Sequence, residues 1–326
     1  MVITRTPLRI SFTGSGTDLP AYYERDFGAV LSTTVDKYLY VTVKTHSPLF
    51  GEAIRLNYSE SERVQQVDQL KHPIARETLR LFDIREHLYI STVADLPGFS
   101  GLGSSSSFAV GLLHAVHLLL GQRPTPAQLA EEAARIEIEI LRRPIGKQDH
   151  YAAAFGGMNL FRFNKDGKTD VIPVRLGRKK QEALFDHLLF FHTGLSHDSG
   201  SVLSEQQAKI GARLEVLASM RDQVFTLREM LEKGMDFEAL GRLIDEGWRM
   251  KRRLASTVSN GHIDQWYERG LNAGAYGGKL LGAGGGGFFM FVVPPMRQES
   301  VRAALSELTE VPMGYGDDGS KVIFSC

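Results

Sequence analysis

The sequence has a single cysteine, Cys326, at its last position. An intrachain disulfide is therefore excluded, which is typical of proteins that fold in a reducing compartment. The ten histidines are not spaced as metal ligands, and no cysteine–histidine pattern of a zinc site occurs. These shortages argue against a disulfide scaffold and a zinc domain, and they favour a cytoplasmic protein.

An excess of charge is also missing, since 38 Lys and Arg balance 38 Asp and Glu. A neutral chain has no overall field that would recruit nucleic acid or an anionic membrane. The longest apolar stretch, 108–120, is too short to cross a bilayer, and no signal peptide precedes it. We expect no nucleic-acid partner and no membrane partner. The oligomeric state is left open, with a homodimer as one option.

The residue pattern predicts an α+β chain of two domains. Segments rich in Val, Thr and aromatic residues favour strands. They lie at 29–46, 87–95, 156–164, 169–176, 187–194, 288–293 and 321–325. Helical periodicity covers 126–142, most of 200–275 and 297–309. We place the boundary at the basic segment "GRKKQE", which gives domains at 1–185 and 186–326.

A glycine and serine stretch, "PGFSGLGSSSSFAVG" (97–111), runs directly into the apolar helix. The amino end of a helix has free N–H groups and partial positive charge, and glycines before it allow close approach of a phosphate. A strand-to-helix turn with serine caps is an equal alternative. The usual P-loop is excluded, because no Gly-Lys-Ser/Thr follows the glycines.

A second glycine cluster, "GGKLLGAGGGGFFMF" (277–291), contains a formal G-x-G-x-x-G. A strand pattern rather than a helix follows it, so the dinucleotide-binding fingerprint fails on context. Four successive glycines indicate a backbone that passes close to another loop or to a ligand. A tight hairpin is the alternative.

Three segments together resemble the three motifs of the GHMP kinases, in the family's order and spacing. They are "TPLRISFTGSGTDLP" (6–20), the glycine and serine stretch, and "KLLGAGGGGFF" (279–289). The resemblance implies a two-lobed kinase, with a mixed α/β N-terminal domain and a helix-rich, ferredoxin-like C-terminal domain. It also implies ATP as phosphate donor, bound where the lobes meet, and Mg²⁺ as cofactor.

The resemblance assigns roles to individual residues. Those implied to bind the ATP phosphates are Gly98, Ser100, Gly101, Leu102, Gly103, Ser104, Ser105 and Ser106. Glu137 and Ser105 match the magnesium ligands. Glu137 also stands out by pattern, because a carboxylate beside the apolar face of helix 126–142 is costly unless it is paired or binds metal. A salt bridge to an arginine is its alternative.

Two further residues match the family's catalytic pair. Asp149 would accept the proton of the attacking hydroxyl, and Arg9 would keep it ionised and offset charge on the phosphoryl group. A helix-cap or loop role for Asp149 and an exposed strand position for Arg9 are the alternatives. The residues implied to bind substrate are Gly16, Thr17, Asp18, Asp149, Gly284 and Gly285. Asp18 could equally be a turn residue before Pro20.

Within the family, "GKQDHYAAAFGGMNLF" and "FFHTG" most resemble kinases of D-glycero-D-manno-heptose 7-phosphate, close to the fucokinases. The resemblance implies transfer of the ATP γ-phosphate to the anomeric hydroxyl, in nucleotide-activated heptose synthesis for bacterial surface polysaccharide. His197 departs from that group, which usually has an arginine there. A kinase of fucose, galactose or unphosphorylated heptose, and a non-catalytic sugar or nucleotide sensor, stay open.

A phosphorylated sugar substrate would need a cationic pocket. Basic runs occur near the catalytic segment and on the helix that contains Trp248. Such runs are usually solvated helix faces, and we expect most of these side chains to be so. The candidates are Arg142, Arg143, Lys147, Lys251, Arg252 and Arg253.

Overall fold

The computed structural model describes residues 1–84, 87–98, 100–195 and 199–326. The strands are β1 Val2–Thr13, β2 Gly28–Thr45, β3 Ile54–Asn57, β4 Ser61–Val64, β5 Leu88–Ala94, β6 Met158–Phe163, β7 Thr169–Pro173, β8 Leu188–His192, β9 Gly277–Leu280, β10 Phe288–Val292, β11 Thr309–Glu310 and β12 Lys321–Ser325. The helices are α1 Pro20–Tyr23, α2 Pro73–Leu81, α3 Ser104–Leu119, α4 Pro126–Ala134, α5 Gln148–Phe155, α6 Arg178–Asp186, α7 Ser199–Lys209, α8 Leu214–Lys233, α9 Phe237–Arg252, α10 Gly261–Asn272 and α11 Gln298–Ala304. A π-helical turn, Arg135–Ile140, continues α4.

The first sheet has the order β12-β1-β2-β5-β3-β4, and β6 pairs with the first part of β2 and with β7. Helix α3 packs on β1 and β2, and most of its residues are buried. Gly111 allows this close packing, since a Cβ there would lie 2.8 Å from Thr6 Oγ1 and 3.3 Å from Val41 Cγ2. The apolar stretch is thus a core helix. In the described ranges no helix is long and apolar enough to span a membrane.

The second sheet has the order β11-β8-β10-β9, and its strand pairs are antiparallel. Counted along the chain from β8, this is the order 4-1-3-2 with a crossover before β9 and another before β11, as in ferredoxin-like domains. Helices α7 to α10 fill the first crossover, which makes this lobe rich in helix. The predicted α+β fold class is confirmed, with a mixed N-terminal lobe and a helix-rich C-terminal lobe.

The two lobes share part of their core. Side chains of β1, including Leu8 and Phe12, belong to the same buried cluster as Phe288 and Met290 of β10 and Val224 of α8. The basic segment at the predicted boundary enters helix α6, and β12 returns to the first sheet beside β1. The division at 185/186 stays a prediction, and the last strand packs with the first lobe.

Candidate active site

A cavity of about 650 Å³ opens where α3, the end of α4, α5, α9 and the β9–β10 turn meet. The three glycine-containing motifs of the sequence all contribute to its walls. A concave, largely preformed space with a few convergent polar groups is typical of a small-molecule site. The motifs, which extend from residue 6 to residue 289 of the chain, therefore build one site.

The loop before α3 has the form expected of a phosphate site. Gly101 and Gly103 have φ values of +78° and +79°, which favour glycine, and Gly103 precedes the first helical residue. No side chain of the described residues caps this end of α3, so its first N–H groups are open to an anion. Gly98 and Ser104 to Ser106 line the cavity with the two glycines. Ser100 and Leu102 are fully buried outside that lining.

The β9–β10 turn packs backbone to backbone on this loop. A Cβ on Gly282, whose φ is +74°, would lie 2.5 Å from the Cα of Gly101. The sequence allowed two interpretations of this segment, a tight hairpin or a backbone that passes close to another loop. Both are correct. Gly284 lines the cavity, whereas Gly285 donates its N–H to Val258 O at 2.9 Å and lies outside the lining.

Glu137 lies in the π-helical turn, with 0% of its surface exposed. π-Turns within helices are rare and frequently mark functional sites. Oε1 accepts from Ser105 Oγ at 2.8 Å and from Arg143 Nη1 at 2.6 Å, and Oε2 accepts from Ser106 Oγ at 3.3 Å. His150, also buried, lies with Nε2 3.0 Å from Oε2. The sequence predicted either a site carboxylate or a salt bridge to an arginine for Glu137. The structure shows a carboxylate that lies at the site and is paired with Arg143.

These contacts set the pKa of Glu137. Burial acts to raise it, but the hydrogen bond and charge of His150, the charge of Arg143 and the Ser105 hydroxyl outweigh burial. The net effect lowers the pKa below that of an ordinary glutamate. The group is therefore a carboxylate at neutral pH, ready to bind a cation.

Arg9 and Asp149 form a two-bond pair inside the cavity. Arg9 Nε donates to Oδ1 of Asp149 at 2.8 Å, and Nη2 donates to Oδ2 at 2.7 Å. Its third donor, Nη1, bonds to Gly101 O at 2.7 Å, so one side chain connects Asp149 to the phosphate loop. Arg9 is 5% exposed, which rules out the alternative of an exposed strand arginine. Asp149 is the second residue of α5 and lines the cavity.

Asp18 lies beside this pair and is 3% exposed. It accepts from Gly16 N at 2.9 Å and from Gln148 Nε2 at 3.0 Å. Burial and then the charge of Asp149 raise its pKa, against hydrogen bonds from the backbone. Gly16 also lines the cavity. Thr17 does not: its hydroxyl is bonded to Gly14 O and Ala29 O, both at 2.8 Å, so it holds the turn instead of contacting substrate.

Lys251 was one of the candidates for a cationic pocket, and the structure places it in the cavity lining. The run "KRR" at the end of α9 predicted a solvated face, yet Lys251 is 2% exposed and lines the cavity. Its ammonium donates to Gly282 O and thereby supports the glycine turn. Burial, and then the charge of Arg9, lowers its pKa to about 8, although Asp18 and Asp149 act in the other direction. Only the positions of α9 and the turn reveal this role.

The other predicted basic residues have different environments. Lys147 pairs with Glu131 at 3.0 Å and Arg252 with Asp264 at 2.9 Å, outside the cavity lining. Arg143 lines the cavity. His197, the departure noted in the sequence, lies outside the described residues.

Part of the cavity wall is apolar, and the sequence analysis did not predict it. Its walls include Leu39, Ile74 and Phe108, with Tyr58 and His72 beside them. The His72 ring lies 4.8 Å from that of Tyr58 and 4.7 Å from that of Phe108, measured between centroids. Such a wall suits a flat heteroaromatic ring. These residues come from separate elements with no shared motif, so the sequence holds no signal for them.

Comparison with known proteins agrees with this geometry. The GHMP kinases N terminal domain matches residues 70–157, and the GHMP kinases C terminal domain matches residues 227–310. The chain is 29% identical to D-glycero-alpha-D-manno-heptose 7-phosphate kinase of Campylobacter jejuni, over 97% of this chain and 95% of that one. It is 25% identical to the galactokinase of Thermococcus kodakarensis, over 93% and 92% of the two chains.

Among solved structures, a D-glycero-D-manno-heptose 1-phosphate kinase from Bacteroides thetaiotaomicron superposes with a TM-score of 0.80, at 26% identity and over 100% of both chains. The chain belongs to the GHMP kinase family. It is an ATP-dependent phosphotransferase with an alcohol group as acceptor.

Proposed function

We propose that this kinase phosphorylates the anomeric hydroxyl of D-glycero-D-manno-heptose 7-phosphate, in nucleotide-activated heptose synthesis for bacterial surface polysaccharide. Support comes from the Campylobacter relative and the Bacteroides structure, whose names both specify this heptose. The name of the Campylobacter relative places a phosphate at C7 of the heptose, and the name of the Bacteroides structure places one at C1. The reacting hydroxyl therefore belongs to the proposal, and the position of the new phosphate tests it.

The observation that carries the proposal is the Arg9–Asp149 pair, which lies beside the phosphate loop and lines the cavity. The sugar oxygen would form a bond to the γ-phosphorus while the bond from that phosphorus to the β–γ bridging oxygen breaks. The hydroxyl proton passes to the Asp149 carboxylate, and ADP leaves. Arg9 holds Asp149 in place through two hydrogen bonds. Its charge also offsets the charge on the transferring group.

Asp18 favours a sugar as acceptor. A buried carboxylate can accept hydrogen bonds from two neighbouring hydroxyls, and charged acceptors form stronger bonds than neutral ones. Relatives of this chain also include a mevalonate kinase of Pyrococcus abyssi, at 26% identity over 95% of this chain. Overall sequence identity therefore does not distinguish a sugar from mevalonate as the phosphoryl acceptor. The buried carboxylate of Asp18 supports a sugar.

Ser105 and Glu137 fit a magnesium ion. Their oxygens lie 2.8 Å apart at the phosphate loop, and the carboxylate is ionised. Mg²⁺ prefers such oxygen donors and commonly takes only one or two from protein, with the others from phosphates and water. In the described part of the chain no group of three or more His, Cys, Asp or Glu could hold a metal. Bound there, the ion would neutralise charge on the nucleotide phosphates.

A coupled ADP-release assay over a sugar panel tests the substrate. The panel holds heptose 7-phosphate, unphosphorylated heptose, fucose and galactose, and mass spectrometry with ³¹P NMR locates the new phosphate. We expect turnover of heptose 7-phosphate and a phosphate at C1. Strong turnover of fucose or galactose with none of heptose 7-phosphate would reject the proposal. The protein could also release ADP in the absence of any sugar. Such release would exclude a non-catalytic sensor only if it depends on Asp149.

A further inference from the structure

The guanidinium of Arg143 occupies the position between the two proposed metal ligands. Its Nη1 lies 2.6 Å from Glu137 Oε1 and 3.0 Å from Ser105 Oγ. Those two oxygens are 2.8 Å apart, so the three atoms form a closed triangle. The nitrogen thus contacts both oxygens that a divalent ion would use.

Arg143 is fixed at its backbone, whereas its side chain is partly exposed to the cavity. Its N–H donates to Glu137 O at 2.9 Å, just beyond the π-helical turn, and Arg142 before it has a φ of +52°. The side chain is 34% exposed and lines the cavity, whereas Glu137 is fully enclosed. The carboxylate therefore cannot move away from the site, but the guanidinium can withdraw into the open cavity.

A buried carboxylate is stable only with a partner. His150 takes part in pairing Oε2, and Arg143 supplies the positive charge at Oε1, the oxygen that it shares with Ser105. A guanidinium and a divalent ion repel each other at such a separation. The two cations therefore compete for Oε1.

We propose that Arg143 is the resident cation of the metal position in the nucleotide-free protein, and that a divalent ion binds only by displacing it. This inference rests on Ser105 and Glu137 as metal ligands, as in the proposed function, and is independent of the sugar. The consequence is that the free protein binds metal weakly. The ion enters with ATP, whose phosphates provide the additional oxygens that tip the competition.

The test measures Mn²⁺ binding to the full chain without nucleotide, from the electron paramagnetic resonance signal of free Mn²⁺. Arg143→Ala should bind Mn²⁺ about tenfold more tightly than wild type, because the competing charge is gone. Arg143→Lys, which keeps the charge, should remain closer to wild type. Arg142→Ala is the matched control: it removes the same charge one residue earlier, from an exposed side chain, and should leave the affinity unchanged.

Equal or weaker Mn²⁺ binding by Arg143→Ala overturns the proposal, provided that its circular dichroism spectrum shows it folded. An equal gain in Arg142→Ala also overturns it, since general charge would then explain the effect. Adding Glu137→Gln to Arg143→Ala should abolish the gain. If Glu137→Gln leaves Mn²⁺ binding in the presence of ATP unchanged, the metal assignment in the proposed function fails. If it abolishes that binding while Arg143→Ala shows no gain, only the displacement fails.

Discussion

Arg9 and Asp149 are 140 residues apart in the chain, yet they are held together by two parallel hydrogen bonds of 2.8 and 2.7 Å. Such two-bond pairs fix orientation as well as charge. Because Arg9 also bonds to the Gly101 carbonyl, the pair holds the proposed base in a set position relative to the phosphate loop.

The first prediction concerns this base. Asp149→Asn keeps the shape of the side chain but cannot take up a proton, so kcat should fall by about 10²–10⁴-fold. Nucleotide affinity should stay near that of wild type, because the phosphate loop is intact. Steady-state kinetics and ATP titration measure the two quantities.

Asp166→Asn, on an exposed side chain in the turn after β6, is the control and should leave kcat unchanged. Unaltered turnover in Asp149→Asn would show that the hydroxyl loses its proton elsewhere.

The second prediction concerns the contact between the two glycine segments. Gly282 and Gly121 both have a φ of +74°, but a Cβ on Gly121 would meet nothing within 4 Å. Gly121→Ala should therefore lower the free energy of unfolding by about 1–2 kcal/mol, the cost of the left-handed conformation alone. Gly282→Ala should cost more and weaken ATP binding, because its Cβ would strike the Gly101 backbone.

Urea unfolding and nucleotide titration of both variants measure these effects. If Gly282→Ala and Gly121→Ala lost the same stability and bound ATP with the same affinity, the phosphate loop would not depend on the β9–β10 turn.

The sequence predicted much of the fold, because the strands at 29–46 and 87–95 and the helices of 200–275 follow local periodicity. It did not reveal the π-turn at Arg135–Ile140, whose hydrogen bonds depend on packing around Glu137 rather than on residue type. It also gave no indication that β12 pairs with β1, because strand pairing between the chain's two ends is set by the tertiary fold.

For the site, residues of all three motifs lie around one cavity, whereas Thr17, Ser100, Leu102 and Gly285 lie outside its lining. The Thr17 hydroxyl is used by the backbone around it, which no spacing could show. Lys251 sits in a run of cations that is solvated in most helices, and only the packing of α9 against the glycine turn buries it. Burial of a charge is a tertiary property, so its detection requires the structure.

The third prediction follows from that burial. Lys251 has a pKa of about 8 in the folded protein against 10.5 ordinarily. Below pH 8 the folded state carries a charge that it disfavours, so Lys251→Met should raise the free energy of unfolding by about 3 kcal/mol there. Between pH 8 and 10.5 the wild-type lysine becomes neutral in the folded state first, and the difference should disappear.

Urea titrations across this pH range measure the difference, and activity should fall in the same variant because the glycine turn loses its support. A stability gain that does not change with pH would contradict a charged, buried Lys251.

The fourth prediction concerns Asp18. Loss of a charged acceptor costs about 1.5–3 kcal/mol, so Asp18→Asn should raise KM for the sugar by about 10–100-fold and change kcat less. Because the pKa of Asp18 is raised, the wild-type KM should begin to increase on acidification at a higher pH than an ordinary aspartate would cause. The asparagine variant should lack this pH dependence. A KM equal to that of wild type would remove Asp18 from the sugar site.

The most direct measurement is a crystal structure of the protein with Mg²⁺ and a non-hydrolysable ATP analogue. The account predicts the phosphates at the backbone N–H groups of Ser104 to Ser106, the ion between Ser105 and Glu137, and the Arg143 guanidinium moved away from Oε1. A nucleotide bound elsewhere, with the loop before α3 closed by protein side chains, would contradict it.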